Sequence, residues 1–213
     1  MWMSAAEGRK TCFREGRRYT VEGRRVPSVT EVLNISGLVD LAFLDQDMLA
    51  KAAERGTTVH RLCELYDREV LDWATVPSEF TGYLDGWLQF REDSGFEPAL
   101  IEEPVFNARL RYAGTLDRTG YPRKHGTFRG IYDIKTGRAL QPTTAYQLAG
   151  YKLALPLDGL DEDNEYRRFA VRLDGAGHYE LKEYTDPEDE QVFLAALRIA
   201  HVKLRLRKAT LKD

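Results

Sequence analysis

Between Leu44 and Val70, the apolar residues Met48, Ala52, Val59, Leu62, Cys63 and Tyr66 fall at helical spacing, predicting one long helix with a buried stripe. Gly56 interrupts that helix, at a cost of roughly 1 kcal/mol relative to alanine. A second amphipathic helix is expected from Ser78 to about Arg91, with Phe80, Tyr83, Leu84, Trp87 and Leu88 on one face. Upstream, Arg17 to Val26 reads as two short strands about a turn at Glu22-Gly23. Ser28 and Glu31 then have the spacing of a capping box. They open a helix that buries Val29, Val32 and Leu33 and that Gly37 closes.

Beyond Pro98 the pattern turns to strands: Leu100 to Arg109, Tyr112 to Tyr121 and Gly130 to Lys135. A basic loop, Pro122 to Gly126, joins the last two. Helical spacing returns from Thr143 to Leu155, and a hairpin follows from Tyr166 to Tyr184 about the turn Asp174 to Gly177. Asp186 is the expected N-cap of a final helix, with Pro187 at its first position. That helix carries Val192, Phe193, Ala196, Ile199 and Ala200 and ends in the basic run Lys203 to Lys208.

Helices and strands interleave with no repeat, low-complexity tract or linker. A single α/β domain over residues 1–213 is therefore expected, with 1–18 as a flexible leading segment. The 43% apolar content supports a substantial core, and no apolar run approaches the roughly 18 residues that span a bilayer, so no membrane association is expected. The amino terminus lacks the basic-then-apolar pattern of a secretory signal. Two cysteines, Cys12 and Cys63, are too few for a disulfide scaffold, a four-cysteine zinc site or a cysteine-held iron–sulfur cluster, and a reducing cytoplasm fits them. A net charge of −3 argues against a protein that coats DNA by bulk attraction. It permits an enzyme whose carboxylates hold metal ions while local basic groups hold phosphates.

The chemistry concentrates in Gly114-Thr115-Leu116-Asp117 and, after sixteen positions, Asp133-Ile134-Lys135-Thr136-Gly137. On a strand Asp133 and Lys135 project to one side and Ile134 to the other. A hairpin can set Asp117 beside them. Two carboxylates brought together need a cation, and Mg²⁺ or Mn²⁺ takes oxygen ligands. A metal there would polarise a phosphoryl oxygen and activate water, with Lys135 offsetting transition-state charge. The Ile134 carbonyl is a further candidate ligand. A lone Asp-x-Lys on a strand, however, is more commonly a surface ion pair.

Other residues strengthen the case. Gly56, His60, Glu64 and Asp67 or Arg68 share a polar helix face, and imidazole is a competent Mn²⁺ ligand. Gln147 and Tyr151 lie one turn apart on the helix after the Asp-x-Lys strand, placed to hold a phosphate, a base or a water. Glu102 or Glu103 can add a carboxylate. Trp73 and Trp87 are candidate stacking platforms, with core packing favoured for Trp87. The basic pairs Arg17-Arg18, Arg24-Arg25 and Arg123-Lys124 are candidate phosphate contacts.

In the order Gly56-x-x-x-His60, Glu102, Gly114-Thr115-x-Asp117, Asp133-x-Lys135-Thr136-Gly137 and Gln147-x-x-x-Tyr151, the chain resembles the RecB-type branch of the PD-(D/E)XK nuclease superfamily. Tyr19 to Thr30 is similar to the start of phage-encoded exonucleases and Cas4-like proteins of that branch. The resemblance covers about Tyr19 to Leu155. It implies a restriction-endonuclease-like core, a mixed four- to five-stranded sheet flanked by helices with the site at one sheet edge. It implies that His60, Asp117 and Asp133 bind one or two Mg²⁺ or Mn²⁺ ions, joined by Glu102 and the Ile134 carbonyl. Lys135 would assist the nucleophile, while Gln147 and Tyr151 would contact the substrate; Thr136, Arg123 and Lys124 are further candidate substrate contacts read from the residues themselves. Glu102 fits the family pattern better than Glu103. The second acidic position is Asp133 rather than glutamate, and the cysteines of the Cas4-like iron–sulfur cluster are absent.

The expected function is a stand-alone DNA exonuclease, phage-encoded, resecting ends for recombination or repair in a bacterial or phage-infected cell. A single-strand annealing protein as partner follows from the resemblance alone. A catalytically silent DNA-binding subunit and a site-specific endonuclease are the alternatives. Lys135-Thr136-Gly137 also matches part of a serine β-lactamase signature, but no Ser-x-x-Lys occurs in the chain. The four histidines are scattered, with no His-Glu-x-x-His pair for zinc hydrolysis.

Overall fold

The computed structural model of the protein describes residues 12–16, 18–39, 45–126, 128–155 and 166–210. Residues 1–11, the strand start expected at Arg17 and the helix start expected at Leu44 lie outside the described residues. A small antiparallel sheet comes first: β1 (Cys12–Glu15), β2 (Arg18–Val21) and β3 (Arg24–Val26), in that order. Strand β1, inside the segment expected to be a flexible leader, pairs with β2 along its length. Glu22 and Gly23 both take left-handed φ, 50° and 73°, the twist that a two-residue hairpin turn demands.

Helix α1 (Val29–Ser36) forms where the capping signals place it. Ser28 accepts from the Glu31 amide at 3.0 Å, the Glu31 carboxylate accepts from the Ser28 amide at 2.8 Å, and Gly37 closes the helix at φ 96°. Replacing Ser28 with alanine leaves that amide without its acceptor and is expected to destabilise the protein by about 1 kcal/mol. Urea denaturation checks this, and an unchanged midpoint would show that the cap is dispensable.

Helix α2 (Gln46–Asp67) is capped by Asp45, whose carboxylate accepts from Asp47 and Met48 amides. Val59, Leu62 and Cys63 are its buried residues, but Met48 is 70% exposed, contrary to the sequence expectation. It sits eleven positions before Val59, roughly 16 Å along the axis, in a first turn that the core does not reach. A single 3-10 turn, Ser78–Phe80, leads into α3 (Thr81–Ser94), which buries Leu84, Trp87 and Phe90.

The main sheet contains β4 (Phe96–Asn107), β5 (Tyr112–Pro122), β6 (Gly130–Lys135), β7 (Arg167–Leu173) and β8 (Tyr179–Tyr184), ordered as numbered. All neighbours are antiparallel except β6 and β7, which run parallel with α4 (Thr143–Lys152) between them in the chain. Helix α5 (Glu188–Thr210) follows, its first amide capped by the Asp186 carboxylate at 2.9 Å. Its buried stripe is Phe193, Ala196, Leu197 and Ala200, at steps of three and four. Ile199 lies off that stripe and is 46% exposed.

The architecture is thus α/β, a five-stranded mixed sheet with helices on both faces. On one face Val29, Val32 and Leu33 of α1, Leu148 of α4 and Phe193 of α5 pack on Tyr112, Leu116 and Ile131. On the other, Val59 and Cys63 of α2 and Trp87 and Phe90 of α3 pack on Phe96, Tyr132, Ile134 and Phe169. Helix α3 lies so close to the β7–β8 turn that a Cβ on Gly82 would meet the Gly175 carbonyl at 1.9 Å. Among the described residues no helix is long and apolar enough to cross a membrane.

Candidate metal and catalytic centre

The site forms where the β5–β6 ladder stops. Backbone pairing runs from Gly120–Gly130 to Arg118–Tyr132 and ends there. The Ile134 amide donates to Asp117 Oδ2 at 2.7 Å, so a side-chain carboxylate takes the place of a strand carbonyl. Ile134 itself is buried in the α2–α3 core, which leaves Asp133 and Lys135 projecting to the α4 side, as strand alternation requires. Side chains from both helical layers meet at this point.

From one layer comes His60 of α2. Its Nε2–H donates to the Ile134 carbonyl at 3.0 Å, and its Nδ1 lies 3.5 Å from Asp117 Oδ1 and 3.6 Å from Glu102 Oε1. The donor atoms of His60, Glu102 and Asp117 all lie within 4.8 Å of one another. Glu102 belongs to β4, where it takes a left-handed φ of 50° between Ile101, paired with Arg118, and Glu103, paired with Leu116. Glu103 is exposed and takes no part. The Ile134 carbonyl, an expected metal ligand, accepts from the imidazole in this structure.

From the other layer comes α4. Lys135 Nζ donates to Gln147 Oε1 at 3.0 Å, and Gln147 Nε2 donates to the Tyr151 hydroxyl at 3.2 Å. Lys135 Nζ also forms an ion pair with Asp133 Oδ2 at 2.5 Å. Asp133 is 1% exposed, and the Lys135 ammonium is the counter-charge facing its Oδ2. A Cβ on Gly114 would lie 2.7 Å from the Tyr151 ring, so that glycine of the sequence motif makes room for the tyrosine. Thr115 Oγ1 bonds the Tyr19 hydroxyl at 2.7 Å, fastening the small sheet beside the site.

The electrostatics are those of a negative well. Burial disfavours charge on His60, but Asp117 and Glu102 outweigh it and push its pKa up to about 10. Burial likewise pushes the Asp117 carboxyl up, and His60, Lys135 and the Ile134 amide more than offset this, holding it below the usual range. For Asp133, burial and repulsion from Asp117 prevail over Lys135 and raise the pKa. Lys135 stays an ammonium because Asp133 and Asp117 outweigh its own desolvation. The Glu102 and Asp117 carboxylates and the His60 imidazole, with the buried Asp133 carboxylate beside them, form a donor set that suits a hard divalent cation.

Of the residues singled out in the sequence, His60, Glu102, Asp117, Asp133, Ile134, Lys135, Gln147 and Tyr151 come together. Thr136 borders them, its Oγ1 at 3.7 Å from a Cβ built on Gly56. Arg123 and Lys124 do not: they follow the far end of β5, six and seven positions past Asp117, roughly 20 Å away. There Arg123 pairs with Glu97 at 2.7 Å and Lys124 donates to the Glu92 carbonyl at 2.6 Å, so local acceptors claim both cations. Glu64 binds Arg61 and Arg68 on the surface. Trp87 is fully buried, and Trp73 is 55% exposed, edge-on to Tyr66. Sequence reading missed Arg118, whose place next to Asp117 was the available signal.

No protein-family model and no curated protein matches the chain. Among solved structures it is similar to an alkaline exonuclease, LHK-Exo, from Laribacter hongkongensis, with 12% identity and a TM-score of 0.40 over 87% of this chain and 94% of that one. LHK-Exo in complex with dAMP aligns with the same identity and score over 88% and 95%. A likeness of that degree carries no weight for function.

Proposed function

We propose that the protein is a divalent-metal-dependent DNA exonuclease that hydrolyses phosphodiester bonds, phage-encoded and acting in end resection for recombination or repair. The observation that supports this most is the convergence of His60, Glu102 and Asp117 donors within 4.8 Å, beside the Asp133–Lys135 pair. His60, Glu102, Asp117 and Asp133 would hold Mg²⁺ or Mn²⁺. A bound ion supplies Lewis-acid polarisation of a phosphoryl oxygen and acidification of water. Lys135, kept charged and aimed by Gln147, orients the attacking water and offsets charge on the phosphoryl oxygens as they become more negative. Tyr151 holds Gln147 in register from one turn away. DNA is the partner of this site. A single-strand annealing protein that takes up the resected strand belongs to the same reading, in the cytoplasm of a bacterium or phage-infected host.

The test is a time course on end-labelled linear DNA and on closed circular DNA, with Mg²⁺, Mn²⁺ or EDTA. Linear DNA is expected to be degraded with either metal and spared in EDTA, while circles stay intact. Cutting of circles would replace the exonuclease with an endonuclease. Tight DNA binding without cleavage under any divalent metal would instead indicate a silent binding subunit.

A further inference from the structure

Arg118 is completely buried, an unusual position for a residue that is always charged. Its Nε donates to Asp67 Oδ2 at 2.6 Å, and its Nη1 donates to Glu102 Oε1 at 3.1 Å and to the Asp117 carbonyl at 2.6 Å. The guanidinium lies 5.7 Å from the centre of the Trp87 ring. The Asp67 side chain is itself fully buried and also accepts from the Trp87 indole at 3.0 Å and from Arg91. Among the described residues Nη2 finds no acceptor.

These contacts coincide with the elements that carry the candidate ligands. His60 and Asp67 both lie on α2, Glu102 on β4, and Asp117 and Arg118 on β5. One guanidinium therefore fastens together the three elements that present the three donors. It also grips the donor least secured by its own backbone: Glu102 stands at left-handed φ, out of the strand ladder, and needs an external partner to fix its carboxylate. The oxygen that Arg118 holds, Oε1, is the one facing His60.

We propose that Arg118 is a positioning residue for the metal centre, setting Glu102 Oε1 against His60 and Asp117 through the Asp67 anchor. The proposal rests on the metal-dependent reading of the site. A guanidinium is suited to this because its planar fork addresses two carboxylates and a carbonyl at once, whereas an ammonium presents a single point. Partners outside the ligand set that orient metal ligands typically change metal affinity by about 10–100-fold when replaced.

The test uses the full chain and Mn²⁺ alone, without DNA, titrated calorimetrically into wild type, Arg118→Lys, Asp67→Asn, Glu102→Gln and the Arg118→Lys/Glu102→Gln double variant. Melting in EDTA and circular dichroism establish that each variant is folded. Arg118→Lys is expected to bind Mn²⁺ about tenfold more weakly, with a smaller loss for Asp67→Asn, which keeps the guanidinium on Glu102. In the Glu102→Gln background, Arg118→Lys is expected to add little, since the carboxylate it positions is gone. A purely structural Arg118 would instead lower the melting temperature in EDTA and leave Mn²⁺ affinity unchanged, and that result overturns the proposal. Losses that multiply in the double variant also overturn it. If wild type itself takes up no Mn²⁺, the metal-dependent reading falls, and this proposal with it.

Discussion

Alanine at Lys135 is expected to lower the rate of DNA hydrolysis on the order of 10³-fold while leaving the chain folded. The side chain is 29% exposed, so the space left by its removal is open to water. What is lost is the cation aimed by Gln147 at the space beside Asp133. Asp133 is then left buried without its counter-charge and takes up a proton more readily, which removes its negative charge from the site. Asp133→Ala is expected to be as severe, and Asp133→Asn separates shape from charge by retaining the volume. Single-turnover cleavage of end-labelled DNA at saturating Mg²⁺ measures the effect. Variants that cleave within a few-fold of wild type would sink the assignment.

The largest effect on stability is expected from Trp87→Ala, a loss of about 3–5 kcal/mol and a fall in melting temperature of roughly 10 °C. Among the described residues Trp87 is the largest fully buried side chain, and it belongs to an aromatic cluster, with ring centres 5.2 Å from Phe90 and 6.0 Å from Phe96. Its indole N–H is one of the donors to Asp67, and its ring faces the Arg118 guanidinium. Truncation therefore removes packing, a hydrogen bond and the lining of a buried charge together. Trp87→Phe, which preserves most of the packing but not the donor, is expected to cost less. Equal losses in the two variants would mean that the hydrogen bond, not the volume, dominates.

Much of the framework could be read from local chemistry. Ser28 with Glu31, Gly37, Glu22-Gly23 and Asp186 are short-range signals, and each forms the cap or turn that its residue types dictate. The site was legible for a related reason: alternation along β6 separates Ile134 from Asp133 and Lys135, and helical spacing pairs Gln147 with Tyr151. The misplaced residues are those whose fate depends on distant chain. Met48 has the right hydropathy for a core, yet no part of a core reaches it. Arg123 and Lys124 carry the right charge for phosphate, but the strand that precedes them is long enough to carry them away from Asp117. Arg118 was hidden because hydropathy assigns arginine to the surface. Only the meeting of Asp67 and Glu102, thirty-five positions apart, makes an interior guanidinium tolerable.

The parallel pairing of β6 and β7 has a bearing on how the molecule assembles. Parallel neighbours cannot be joined by a tight hairpin, so the chain must leave the sheet, travel back along its length and re-enter. Helix α4 makes that return journey and carries Gln147 and Tyr151 with it. The outward leg ends on Lys135, and the first residues after it lead straight into the helix that will aim it. The crossover that joins the parallel strands is thus also the element that covers the lysine. A nascent chain released before β7 has emerged would possess every charged group of the centre but would lack the strand against which the crossover is drawn tight.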